Sequence, residues 1–351
     1  MATSPAPAGG RPVGLQECLV SVLATLERRV GFAEGVVMSF DPDVLLPNAF
    51  AATVERSLDD ALVACRNEQL DQDFLKFRDL ARSRPPVGVA SRESDPRTRG
   101  SRRWQEILDV RGHGHELRAA LVDGSGQCWG ALNFQREARR PFSDRDIRLV
   151  RDGIEEHAAR IARSMIAARA LDAGQGEPGS VWLDEAGGLV FASPAAERWL
   201  ALLDAQACPG FSRALLAGLA MRAEAVARRV RPESAADGEA AMVRARTANG
   251  RWVRARAERI TFPDGNLRGI AVVIDAARAG DILPMAASAC QLTSRELEVV
   301  RGVLNGLDTR SLAASLHISE YTVQDHLKSV FAKVGVGSRR ELAHRLAVQF
   351  G

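Results

Sequence analysis

Ten consecutive residues near the C-terminus, Ser319-Glu320-Tyr321-Thr322-Val323-Gln324-Asp325-His326-Leu327-Lys328, carry hydrogen-bonding side chains at helical spacing. Tyr321, Gln324, Asp325 and Lys328 fall at i, i+3, i+4 and i+7, so a helix presents them on one face. Val323, Leu327, Val330, Phe331 and Val334 form an apolar stripe on the other. The chemistry open to such a face is directional recognition by donors and acceptors. By itself the pattern also fits a solvated helix face. Other groups offer less. Gly112-His113-Gly114-His115-Glu116 contains metal-ligand types, but no third ligand stands out and a loop at the mouth of a strand accounts for it. Cys128, beside Trp129, reads as a buried structural thiol. The residues before the three lysines, Lys76, Lys328 and Lys333, are Leu75, Leu327 and Ala332, so no phosphate loop with Gly-Lys-Ser/Thr exists. With no nucleophile–base pair and no metal cluster, an enzyme is not expected.

The elements that must position the polar face are marked by their caps. Thr293 with Glu296 forms a capping box that starts a helix carrying Leu297, Val300, Val303 and Leu304, which meets Gly306. Asp308 or Thr309 caps a second helix with Leu312, Ala313 and Leu316 inward. His317-Ile318-Ser319 makes a tight turn, and Ser319 caps the third helix. Gly335 closes it; Ser338-Arg339-Arg340-Glu341 opens a fourth with Leu342, Leu346 and Val348. A tight turn before an amphipathic third helix is what a helix-turn-helix needs, because that helix lies in a DNA major groove with its polar side chains outward.

Residues 291–350 resemble the LuxR-type helix-turn-helix, the C-terminal DNA-binding domain of many bacterial regulators. The pattern is matched by Leu292, Thr293, Arg295, Glu296, Glu298, Val299, Gly306, Ala313, Leu316, Ile318, Ser319, Thr322, Val323, His326, Lys333, Gly335, Val336 and Arg339. It departs at Thr309-Arg310-Ser311-Leu312, where Asn-Lys-Glu-Ile is usual, and at Gln324, where lysine is usual. The resemblance implies that Thr322, His326 and Lys333 approach the sugar-phosphate backbone, while Gln324, Asp325 and Lys328 lie nearest the base edges. Ser319, Tyr321 and Arg339 complete the DNA-facing set. Gln suits an adenine edge, Asp accepts from cytosine N4, and Lys donates to guanine O6 and N7. Asp325 is unfavourable near phosphates and so serves specificity. Leu342, Leu346 and Val348 of the fourth helix are the implied contact between two output domains; the same side chains could instead close the core.

The remaining chain reads as input. Its 351 residues carry a formal charge of +3, too small to reveal or exclude a local basic face. Five widely spaced cysteines fit a reducing cytoplasm. Residues 1–14 read as a disordered lead, and no apolar run is long enough for a bilayer. Helical periodicity covers Leu15 to Val30, a strand covers Gly35 to Phe40, and a long helical region is expected from about Ala52 to Ala81. Arg82 to Arg103 reads as a loop and Trp104 to Leu108 as a short helix. Two strands, Glu116 to Val122 and Gln127 to Phe134, form a hairpin across Asp123-Gly124-Ser125-Gly126. A long helix then runs from Pro141-Phe142-Ser143-Asp144 to about Ala170.

Leu117 to Gly124, Cys128 to Asn133 and Pro141-Phe142-Ser143 resemble the last strands and helix of a GAF domain. The family implies a small-molecule pocket; a packed core without a ligand fits the pattern equally. After a Gly-rich linker, Ser180 to Ala196 reads strand, turn, strand, helix and resembles the opening of a PAS domain. Strands at Met242–Arg246, Trp252–Thr261 and Leu267–Ile274 follow, with turns at Asn249-Gly250 and Asp264-Gly265. A phosphate-receiver input is not expected, since Lys76 falls in the expected helix, nor an acyl-homoserine-lactone domain, since the sole tyrosine is Tyr321.

The expected architecture is therefore multidomain α+β. GAF-like (15–170) and PAS-like (178–277) antiparallel sheet domains, then a linker (278–290), precede an all-α four-helix LuxR-type domain (291–351). Expected partners are double-stranded DNA, a second copy of the chain, and a small-molecule or protein signal; no cofactor is named, and no membrane. The competing reading is a ligand- or protein-binding sensor whose DNA binding is secondary or lost.

Overall fold

Leu15, Cys18, Leu19, Val22, Leu23, Leu26 and Val30 recur at helical spacing and are buried along one side of α1 (Leu15–Val30). The computed structural model describes residues 14–167, 176–184, 187–229, 241–261 and 267–350, with backbone only at 167, 229, 267–268, 279, 344 and 346–350. The lead at 1–13 and most of the Gly-rich linker lie outside the described residues.

The first unit is an antiparallel sheet of five strands in the order β2-β1-β5-β4-β3. The strands are β1 (Glu34–Asp41), β2 (Leu46–Ala52), β3 (Val87–Ser91), β4 (His113–Val122) and β5 (Cys128–Glu137). α1 and α4 (Asp144–Ala167) pack together on one face. On the other lie α2 (Leu58–Gln69), α3 (Phe77–Leu80) and a π-helical turn at Trp104–Leu108. The single helix expected across 52–81 is a correction. The segment begins as the end of β2, starts α2 only at the Ser57 cap, whose side chain accepts from Asp60 N at 3.1 Å, and breaks after Gln69. Lys76 stands at the N-terminus of α3, not inside a long helix. The loop expected at 82–103 contains β3.

The second unit has a five-stranded antiparallel sheet in the order β7-β6-β10-β9-β8. Its strands are β6 (Gly179–Leu183), β7 (Leu189–Ala192), β8 (Ala241–Arg246), β9 (Trp252–Thr261) and β10 (Leu267–Ala276). α5 (Pro194–Gln206) and α6 (Phe211–Arg229) cover the face made by Val181, Leu183, Val243, Ala255, Val272 and Ile274. The opposite face leaves Trp182, Phe191 and Val273 exposed, next to Val190.

The expected linker at 278–290 is largely a helix, α7 (Ala279–Ala289). The Arg278 N–H donates to the Asp281 carboxylate at 2.8 Å, and Ile282, Leu283, Met285 and Ala286 are buried. An apolar face of that width must be covered, and α4 and the last helix of the chain cover it. Joined units meet again at Arg244 of β8, which is 2% exposed and donates from Nε to Asp41 Oδ2 at 2.8 Å and from Nη1 to the Asp281 carbonyl at 2.8 Å. One guanidinium thus ties the end of β1, β8 and α7. No helix among the described residues is long and apolar enough to cross a membrane.

Candidate nucleic-acid interface

Four helices follow α7: α8 (Ser294–Leu304), α9 (Thr309–Leu316), α10 (Glu320–Val334) and α11 (Arg339–Phe350). Thr293 Oγ1 accepts from Glu296 N at 3.2 Å and Glu296 Oε2 accepts from Thr293 N at 2.7 Å, the reciprocal box that starts α8. Asp308 caps α9 by accepting from Ser311 N at 2.7 Å. His317 takes a left-handed conformation, φ 53°, and Ile318 N bonds back to the Ala313 carbonyl at 3.0 Å, so the chain turns sharply into α10. Ser319 Oγ accepts from Thr322 N at 3.0 Å, and Gly335 ends α10 at φ 73°.

α10 is sorted as its sequence requires. Val323, Leu327, Val330 and Val334 are buried; Tyr321, Gln324, Asp325 and Lys328 are exposed, Tyr321 by 72%. Lys328 Nζ lies 3.4 Å from Asp325 Oδ1, an exposed i,i+3 pair of little energetic weight, so both groups are free to turn toward a ligand. Ser319 and Thr322 hydroxyls lie 2.8 Å apart at the start of the helix, and His326 is half-buried beside the polar face.

Two expected site residues are placed differently. Lys333 Nζ donates to Glu296 Oε2 at 2.6 Å, and Ser329 Oγ donates to Glu296 Oε1 at 2.5 Å. Lys333 therefore locks α10 to α8 through a buried carboxylate, and as a phosphate contact it would have to share its charge. Leu342 is fully buried and closes the core of this domain. A side chain with no exposed surface offers nothing to a partner chain. The side chains of Leu346 and Val348 lie outside the described residues. Arg339 is half-buried, and with Arg310 it helps hold the Asp308 carboxyl below its usual range, after the hydrogen bonds from Ser311. Arg310, one of the departures from the family pattern, is exposed in the first turn of α9.

Of the upstream motifs, His113 and His115 are buried in β4, with His113 Nε2 3.2 Å from Glu34 Oε1 and His115 Nε2 2.8 Å from the Ala138 carbonyl. Among the described residues no group of three or more metal-ligating side chains converges. Cys128 is buried, and burial pushes its thiol up to about 12.

Burial alone would push the Glu296 carboxyl up, but hydrogen bonds from Lys333, Ser329 and Thr293 outweigh it and bring the carboxyl from 4.5 down to about 2. A carboxylate with a lowered folded-state pKa stabilises fully above its unfolded value and loses that contribution as pH falls through the folded one. Glu296→Gln is expected to cost on the order of 2 kcal/mol at neutral pH. The difference from the parent should vanish between about pH 4.5 and 2. Urea unfolding across that range checks it; a pH-independent difference would mean that the charge of Glu296 contributes nothing.

This turn between α9 and α10, with a polar face on the second helix and a clamp beneath it, defines a helix-turn-helix domain. Residues 290–346 match the model of the bacterial regulatory proteins, luxR family. The domain is of LuxR type. Relatives match over short stretches. A putative HTH-type transcriptional regulator of Aeromonas salmonicida is 46% identical over 52 residues, 15% of this chain and 26% of its own length. Transcriptional regulatory protein YdfI of Bacillus subtilis is 39% identical over 61 residues, 17% and 28% of the two chains. A nitrate/nitrite response regulator protein homolog of Haemophilus influenzae is 44% identical over 48 residues, 14% and 23%. The alignments thus span about a quarter of these relatives. Among solved structures, a Vibrio cholera VqmA-ligand-DNA complex aligns at a TM-score of 0.24 and 18% identity over 49% of this chain and 81% of that one, a likeness too slight to bear on the upstream units.

Proposed function

We propose that this protein is a sequence-specific DNA-binding transcription regulator, with α10 as the helix that enters the major groove. In this reading the two sheet units are GAF-like and PAS-like sensory modules that set how the output domain is held. The observation that carries the proposal is the match at 290–346 on a domain whose α10 exposes Tyr321, Gln324, Asp325 and Lys328 above a buried stripe. Gln324, Asp325 and Lys328 would meet base edges, and Ser319, Thr322, His326 and Arg339 the backbone. Lys333 holds the helix at its angle and contributes less charge to phosphates than its type implies.

Two copies would act together, because one such unit spans few base pairs and a paired half-site raises affinity through effective concentration. The exposed apolar face of the second sheet, with Trp182, Phe191 and Val273, supports pairing of chains, since such a patch rarely stays bare. Arg339 and Arg340 from each copy would displace four counterions, giving a log–log slope of affinity against salt of about −4. Fluorescence anisotropy of the full chain on a duplex from 50 to 300 mM salt, on the order of the usual working range, measures this. A slope near zero would remove the phosphate contacts from the account.

A further inference from the structure

Between the first sheet and α2 lies a cavity of about 190 Å³ with an apolar body lined by Met38, Phe40, Phe50, Phe77, Ile107 and Phe211. Its floor follows the strand register. Val36, Asn133 and Arg118 stand side by side on β1, β5 and β4, one pleat from Met38, Ala131 and Ala120, so one end is polar and the other apolar. The polar part of the lining holds three arginines, Arg56, Arg103 and Arg118, together with Asp60 and Glu68.

Each of these arginines faces a carboxylate. Glu68 accepts from Arg118 Nη2 at 2.5 Å and from Phe77 N at 3.0 Å; Glu116 lies 3.1 Å from Arg103 Nη2; Glu34 lies 3.2 Å from Arg56 Nη2. Yet Nε of all three arginines, Nη1 of Arg118, Oδ1 of Asn133 and both oxygens of Glu116 are buried without a hydrogen-bond partner in the protein. Arg103 and Arg118 are only 3% and 2% exposed. Unsatisfied buried donors are costly, and here they gather at one end of a cavity. What satisfies four donor atoms at once is a head group of acceptor lone pairs, and an arginine fork matches a carboxylate.

The lid belongs to the other unit. Phe211, Ala214, Leu215 and Gly218 of α6 complete the lining opposite the sheet. α6 seats closely on α2: Cys65 Sγ lies 3.8 Å from the Ala214 carbonyl, and a Cβ on Gly218 would meet Cys65 Sγ and Leu46 Cδ2 at 3.4 Å. Burial pushes the Cys65 thiol up to about 12, so it packs as a neutral group. A cavity near 150 Å³ holds benzene, so this one of about 190 Å³ takes roughly eight non-hydrogen atoms, a ring plus one small head group.

We propose that this cavity is a composite receptor site for a small aromatic monocarboxylate, with the carboxylate on Arg103 and Arg118 and the ring beneath α6 of the second unit. The proposal rests on reading the two units as sensory modules. Binding at this site touches both units at once, so occupancy is felt across the α2–α6 contact.

Calorimetric titration of the full chain with benzoate, salicylate, phenylacetate and, as an apolar control, toluene tests it. At least one carboxylate should bind one to one with a submillimolar Kd and raise Tm, with toluene at least tenfold weaker. Arg118→Lys keeps the charge but loses the fork and should weaken carboxylate binding at least fivefold while leaving toluene unchanged. Ala214→Phe places a ring into the cavity from the second unit and should weaken the carboxylate at least tenfold. The proposal fails if none of the three carboxylates binds, if toluene binds equally well, or if a folded Ala214→Phe protein binds as the parent does. Should Ala214→Phe not fold, unchanged carboxylate affinity in Arg118→Lys overturns the assignment. The titration contains no DNA, so its outcome is independent of whether α10 reads an operator.

Discussion

Replacing Asp41 with alanine is expected to lower the stability of the chain by about 3–5 kcal/mol, the usual consequence of leaving one member of a buried ion pair alone. Asp41 and Arg244 are 1% and 2% exposed. The carboxylate accepts from the Arg244 backbone N–H at 2.7 Å, from Nε at 2.8 Å and from Nη2 at 2.5 Å. The Arg244 carbonyl in turn accepts from Asn48 Nδ2 at 3.2 Å. Without Asp41 the guanidinium keeps only Asp43, whose side chain is 63% exposed, and the Asp281 carbonyl. Asp43→Ala should therefore cost less than about 1 kcal/mol. The double variant Asp41→Ala with Arg244→Leu should recover most of the loss, since no unpaired charge remains buried. Urea unfolding of the three variants separates these cases. A loss below about 1 kcal/mol for Asp41→Ala would mean that Arg244 reaches solvent and that the two sheets are not joined there.

The second large effect concerns DNA. Lys328→Ala and Gln324→Ala are each expected to weaken binding to a selected operator by about ten- to hundredfold, the range of a base-edge contact of roughly 1–3 kcal/mol. Both side chains are exposed and bear no core packing, so Tm should stay with the parent. Asp325→Ala should behave differently: affinity for random duplex holds or rises because an acidic group leaves the phosphate field, while discrimination among operators falls. Competition binding against a random duplex measures both quantities. Unchanged operator affinity in the Lys328 and Gln324 variants would place the recognition surface elsewhere on the domain.

The helix-turn-helix domain is the most legible part of the chain, because its signals are local. Thr293 with Glu296, Asp308, Ser319 and Gly335 each act within a few residues, and each stands where its type indicates. The strands of the second sheet were similarly marked, with β8 and β9 joined across Asn249-Gly250. What escaped was long-range. β2 reads Leu-Pro-Asn-Ala-Phe-Ala-Ala and lacks β-branched residues; it is a strand because β1 pairs with it and Asn48 reaches β8. β3 hid in a segment rich in proline and arginine. Residues 278–290 resembled a linker because a short apolar stretch gives no hint of the neighbours that cover it. The Glu296–Lys333 clamp spans 37 positions and the Asp41–Arg244 pair 203, so neither leaves a trace in any window of sequence. The cavity assembles residues from both units, and only packing brings them together.

The most direct test of the central claim is selection by the full chain from a random duplex DNA pool at moderate salt. The account predicts enrichment of one two-fold symmetric site, with half-sites about one helical turn apart, and loss of that enrichment when Gln324 and Lys328 are both alanine. Failure to enrich any sequence, or enrichment unchanged in the double variant, would contradict it.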